Sequence, residues 1–144
     1  MPHQWNWETA HLTPGAGIVL LRKFDNNWKV LGLWKDNGYD ITKGHVEEGD
    51  GYLETAIRET FEEADIDELS FDFGFIYHTE DYLRIYVATT TQDAKIKLNH
   101  NGVAEHDRHS WLTLEEMETQ VYNYLKPAIM WVRKEVLKNE KTDL

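Results

Sequence analysis

Lys43-Gly44-His45-Val46-Glu47-Glu48-Gly49-Asp50, continuing as Gly51-Tyr52-Leu53-Glu54-Thr55-Ala56-Ile57-Arg58-Glu59-Thr60-Phe61-Glu62-Glu63-Ala64-Asp65-Ile66, is the stretch that decides the fold. A glycine-punctuated, acidic loop runs into an amphipathic helix. On a helix, Leu53, Ala56, Ile57, Thr60 and Ala64 form one apolar stripe, expected to be buried. Glu59, Glu62 and Glu63 stack on another face, one turn apart. Carboxylates this close repel one another, by tenths of a kcal/mol per pair. A solvated surface is the usual fate of such a cluster, but one with no cation interleaved calls for a compensating charge. With neither sulfur nor imidazole in it, the cluster suits a hard divalent ion, Mg²⁺ or alternatively Mn²⁺.

The same residues carry a resemblance. The stretch resembles the Nudix box, G-x5-E-x7-R-E-U-x-E-E-x-G-U with U bulky and aliphatic. Gly44, Arg58, Glu59, Glu62, Glu63 and Ile66 match in register. Three positions depart from it. Asp50 keeps a charge on a side chain one methylene shorter than Glu. Thr60 takes an aliphatic position. Asp65 replaces the closing glycine, at a place where a left-handed residue ends a helix and Asp is tolerated. The resemblance implies a Nudix-type α/β/α sandwich with a mixed sheet between helices, and hydrolysis of a phosphoric anhydride. It implies a metal cage of Glu59, Glu62 and Glu63, with the Gly44 carbonyl as an additional ligand. Arg58 would orient the box carboxylates.

Composition bounds these readings. A chain of 144 residues with 41% hydrophobic content is expected to form one domain, residues 1–144, with a real core. No apolar run approaches a membrane span and no signal-peptide pattern opens the chain, so a cytoplasmic location is the default. The absence of cysteine excludes disulfides, thiolate catalysis and zinc–sulfur sites. A net charge of −11 argues against binding bulk nucleic acid or an anionic membrane through a basic face. A polyanionic substrate would therefore have to be met by metal and a local cluster of basic groups; the resemblance implies that it is a small nucleotide. Oligomeric state is left open between monomer and homodimer.

Elsewhere the pattern predicts strands over 18–22, 28–34, 69–77 and 82–88, the third on the alternation of Phe71, Phe73 and Phe75. A short strand is expected at 96–98. Asp25-Asn26-Asn27, Asn37-Gly38 and Thr79-Glu80-Asp81 read as turns. Thr113-Leu114-Glu115-Glu116 is a capping-box start, and Pro127 opens a last helix. Met1–Leu12, with Trp5 and Trp7, reads as an N-terminal strand or arm over the core. The tail from Lys138 reads as frayed.

Glu105 is a candidate second acid from outside the box, as metal ligand or base. The ground is resemblance to diadenosine tetraphosphate hydrolases of the family, in which a Glu-His pair precedes a Trp-Leu and a Leu-Glu-Glu helix start. Here Glu105-His106 precedes Trp111-Leu112 and Leu114-Glu115-Glu116. Lys43-Gly44-His45 points to the same subfamily and makes Lys43 and His45 candidate phosphate contacts. Tyr77, Tyr82 and Tyr86 are candidate stacking surfaces for a base, although core packing is the commoner role for any one of them. Either Glu62 or Glu105 could act as the base. The expected substrate is a dinucleoside tetraphosphate, split to ATP and AMP. ADP-ribose, nucleoside triphosphates, diphosphoinositol phosphates and RNA 5′ ends stand as alternatives, as does a silent nucleotide-binding module.

Overall fold

The computed structural model describes residues 14–99 and 101–140, so the expected N-terminal arm and the end of the tail lie outside it. Its frame is a seven-stranded mixed sheet. The strands are β1 (Gly15–Phe24), β2 (Asn27–Lys35), β3 (Gly38–Asp40), β4 (Thr42–His45), β5 (Tyr77–Glu80), β6 (Leu83–Thr89) and β7 (Arg108–Leu112). The helices are α1 (Tyr52–Ala64), α2 (Leu114–Gln120) and α3 (Lys126–Trp131), the last continued by a π-helical turn over Val132–Val136.

β1 is central because it is apolar on both faces. Ile18 and Leu20 pack with Ala56, Ala64 and Ile66 on the α1 side. Val19 and Leu21 pack with Met117, Leu125 and Ile129 on the α2–α3 side. A continuous hydrophobic run is what a strand covered on both faces requires. β1 runs parallel to β6 along one edge. Along the other it takes β4 over Gly15–Ile18, then β2 over Leu21–Phe24, both antiparallel. That exchange of partners brings Lys43, Gly44 and His45 into a strand where a loop was expected.

Two hairpins close on tight turns. Asp25 and Asn26 have φ of 49° and 68°, and Asp36 and Asn37 have φ of 52° and 67°. Two successive left-handed residues make the turn whose twist matches the flanking strands, and Asp and Asn tolerate it best. The second turn thus sits one residue earlier than Asn37-Gly38.

The segment with Phe71, Phe73 and Phe75 corrects the expected strand. It contributes only a bridge, Ser70 to Thr89, before β5 starts at Tyr77. Phe71 packs on the α1-side core and Phe73 meets Trp28 at 6.2 Å, whereas Phe75 is 64% exposed. Its alternation serves separate aromatic contacts and not a ladder. Residues 96–98 likewise give only a bridge, Leu98 to Ala104. The capping box at Thr113 forms, with Thr113 and Glu116 each accepting from the other's backbone N–H.

Candidate active site

The buried face of α1 is rotated from the expected stripe. Thr55, Ala56, Thr60, Glu63 and Ala64 are buried, whereas Ile57 is exposed and Leu53 half-buried. Glu63 is the cause: at 8% exposure it belongs to the inner face. Thr60 is at home there because its hydroxyl donates to the Ala56 carbonyl (2.8 Å) and meets the Thr42 hydroxyl at 2.7 Å. A polar pair across the helix–sheet seam replaces an aliphatic contact. Asp65 ends the helix left-handed, at φ 58° and ψ 34°, its N–H donating to the Phe61 carbonyl.

β4 and α1 meet at Gly44. A Cβ there would lie 2.1 Å from the Glu59 carboxyl carbon, so only glycine lets that carboxylate seat against the strand. Arg58 does interleave among the acids, contrary to a ridge with no cation. Its Nη1 reaches Glu59 Oε1 at 3.1 Å and Glu62 Oε1 at 3.4 Å. Asp50 approaches Nη2 only to 3.7 Å, too far for a hydrogen bond, and that nitrogen and Nε have no hydrogen-bond partner. The missing methylene of Asp50 shows as a loosened clamp.

A second wall comes from residues 92–99 and 101–107. Lys95 N–H donates to the Ala64 carbonyl and Asp107 N–H to the Trp34 carbonyl, which docks both ends of the segment. Asn99 N–H donates to the Val103 carbonyl at its turn. Glu105 and His106 thereby face α1, and potential ligand atoms of Glu63, Glu105 and His106 lie within 4.8 Å of one another. The cleft between these walls, about 490 Å³, is lined by Glu59, Glu62, Glu63, Ile96, Lys97, Leu98, Asn99, Glu105 and His106. A larger hollow of about 770 Å³ beside Arg22 and Thr89 has Asp67, Glu68 and Asp72 in its lining together with Arg22 and Lys23. Its Asp72 already accepts from the Thr89 hydroxyl and its Asp67 from Gln92.

Burial pushes the Glu59 carboxyl up to about 7, with the negative charges of Glu62 and Glu105 adding and Arg58 opposing. Burial also holds Glu63 well above the usual carboxylate range, despite the Lys43 N–H donating to it. Carboxylates kept costly to ionise, beside two more acids, are a donor set that a hard divalent cation satisfies. Glu59, Glu62, Glu63 and Glu105 could therefore hold such an ion.

Behind Glu63 lies a network that local sequence did not mark. Asp40 is buried at the end of β3. Its Oδ2 meets Lys43 Nζ at 3.1 Å and His106 Nε2 at 3.5 Å. Burial alone would raise Asp40, but His106 and Lys43 bring it below its ordinary value. Burial would likewise lower Lys43, and Asp40, Tyr124 and Glu63 hold it above its ordinary value. Tyr124 stacks beside Tyr122, centroids 6.4 Å apart.

The remaining expected residues do not converge on the acids. Lys43 faces Asp40, and His45 is half-buried on β4 opposite Gly15. Tyr86 corrects the stacking expectation: it shares a strand face with Ala88, lies buried in the α1-side core, and meets Tyr77 edge-on at 5.4 Å. Tyr77 and Tyr82 are exposed, and the Tyr77 ring is covered by Arg84 at 4.4 Å. The three do not line the acidic cleft.

The chain matches the NUDIX domain family over residues 9–132 and belongs to that family. Among solved structures it is similar to a Caenorhabditis elegans Ap4A hydrolase in a binary complex, at 22% identity and a TM-score of 0.69, covering 88% of this chain and 98% of that one. It is similar to the Escherichia coli dihydroneopterin triphosphate pyrophosphohydrolase at 18% identity and a TM-score of 0.61, covering 86% and 94%. The NUDIX domain of Shewanella oneidensis NrtR, complexed with ADP ribose, follows at 14% identity and a TM-score of 0.59, covering 87% and 88%. At these identities the likeness is one of fold.

Proposed function

We propose that the protein hydrolyses a phosphoric anhydride in a nucleoside-linked substrate with Mg²⁺, and that dinucleoside tetraphosphates are its preferred substrates. The observation that carries this is the Glu59 carboxylate seated on Gly44, beside Glu62, Glu63 and Glu105 in one cleft. A divalent ion bound there neutralises phosphate oxygens and makes water a better nucleophile; Mn²⁺ has the same donor preference.

Glu59 and Glu63 supply inner-face oxygens for the ion, and Glu62 and Glu105 close the cleft from opposite walls. Arg58 bonds Glu59 and Glu62 and fixes how far apart they stand. The attacking water gives its proton to Glu62 or Glu105 as its oxygen bonds to phosphorus and the bridging P–O bond breaks. Lys97, on the cleft wall, is already paired with Asp65 at 3.5 Å over the Phe61 ring, and would serve a phosphate only on leaving that pair. The asymmetric products would be ATP and AMP. Support for the substrate comes from Lys43-Gly44-His45, from the Glu105-His106 spacing, and from the similarity to the Ap4A hydrolase. A silent binding module has no need of the four acids. In one Mg²⁺ assay, kcat/KM for diadenosine tetraphosphate should exceed that for ADP-ribose and for nucleoside triphosphates by at least about tenfold. An equal or reversed ranking removes the substrate assignment.

A further inference from the structure

Glu63 is the most buried acid of the cleft, and both its oxygens are held from behind. Oε1 accepts from the Lys43 N–H at 2.9 Å, and Oε2 lies 3.5 Å from His106 Nδ1. Those two partners come from β4 and from the segment before β7. What they share is Asp40. Its Oδ1 accepts from the Ile41 N–H at 2.8 Å, which fixes the carboxylate; its Oδ2 takes both the Lys43 ammonium and His106 Nε2.

We propose that Asp40 is a positioning residue for the cation site: it anchors Lys43 and His106, and through them sets where Glu63 presents its oxygens. This rests on the reading of the cleft as a divalent-metal site. It also reassigns Lys43. The Lys43 ammonium is committed to Asp40 at 3.1 Å, so Lys43 acts through its backbone N–H on Glu63 and not on a phosphate. Groups that orient a ligand from outside the ligand shell typically change metal affinity 10–100-fold when lost.

The test is Mn²⁺ titration calorimetry on the full chain, with substrate kinetics at saturating Mg²⁺ alongside. Asp40→Asn keeps the acceptor for Ile41 and removes the charge. It should weaken Mn²⁺ binding at least about tenfold, while substrate KM at saturating Mg²⁺ stays within about twofold of the parent. Parental Mn²⁺ affinity in folded Asp40→Asn overturns the proposal. So does a raised KM at unchanged Mn²⁺ affinity, which would make Lys43 a substrate contact. If Asp40→Asn does not fold, the charge-balanced pair Asp40→Asn with Lys43→Met takes its place. It should show the same weakening, because His106 still loses its anchor, and parental affinity there overturns the proposal. Weakened Mn²⁺ binding in a protein that hydrolyses no anhydride would remove the proposed function and leave the role of Asp40 standing.

Discussion

Two aspartates in this molecule gather the same kinds of partner, a basic side chain and a histidine, in opposite surroundings. Asp40 holds Lys43 at 3.1 Å and His106 at 3.5 Å with its side chain 9% exposed. Asp93 holds Arg22 at 3.5 Å and His109 at 3.8 Å with its side chain 64% exposed, and also accepts from the Trp111 indole at 2.8 Å. Both carboxyls sit below their ordinary value, Asp93 chiefly through the Trp111 hydrogen bond. The contact geometry differs little; the solvent differs greatly. At Asp93 water can replace each partner, so the network staples a surface. At Asp40 water has little access, so the network transmits position to Glu63.

The largest expected difference is in stability. Asp40→Ala strands a buried ammonium and imidazole and should cost about 3–5 kcal/mol. Asp93→Ala leaves its partners in water and should cost about 1 kcal/mol or less. Urea unfolding of the matched pair measures this, and equal losses would erase the distinction.

A smaller effect separates the Asp40 network from the cleft in front of it. Asp40 is depressed, so its contribution is present above its unfolded value near 3.8 and is lost as pH falls. Glu59 is raised from 4.5 to about 7, so its contribution is present below pH 4.5 and is lost as pH rises through 7. Without metal, stability should thus fall between pH 5 and 8, by roughly 2 kcal/mol. Calorimetric Tm measured across that range should show the decline, and Glu59→Gln should lessen it, leaving the part that Glu63 supplies. A metal-free Tm that rises toward pH 8 would mean Glu59 is already ionised at pH 5 in the folded protein.

The contrast also shows what sequence could carry. The box was legible because its spacing fixes which side chains share a turn of α1, and Gly44 through the box resemblance, whereas its close approach to Glu59 belongs to the fold. The buried stripe departs from the helical spacing because Glu63, an acid that spacing places outward, turns inward to Lys43 and His106. Asp40 could not be found, since its partners are three residues away on another strand and in a segment far along the chain. Glu105 was reached through resemblance alone, because only the docking of residues 92–99 and 101–107 brings it to α1. Tyr122 and Tyr124 were missed for a similar reason: the turn after α2, and not any period, lays them beside Lys43.

The central claim is that the carboxylates crowded in the α1 cleft hold a divalent cation for anhydride hydrolysis. Its most direct test is the Mg²⁺-dependent turnover of diadenosine tetraphosphate by the parent protein and by Glu62→Gln, with circular dichroism to check the fold. Metal-dependent hydrolysis by the parent, and a fall of at least about a hundredfold in folded Glu62→Gln, is the predicted result. Turnover by Glu62→Gln equal to the parent's, or parent turnover that ignores Mg²⁺, would contradict it.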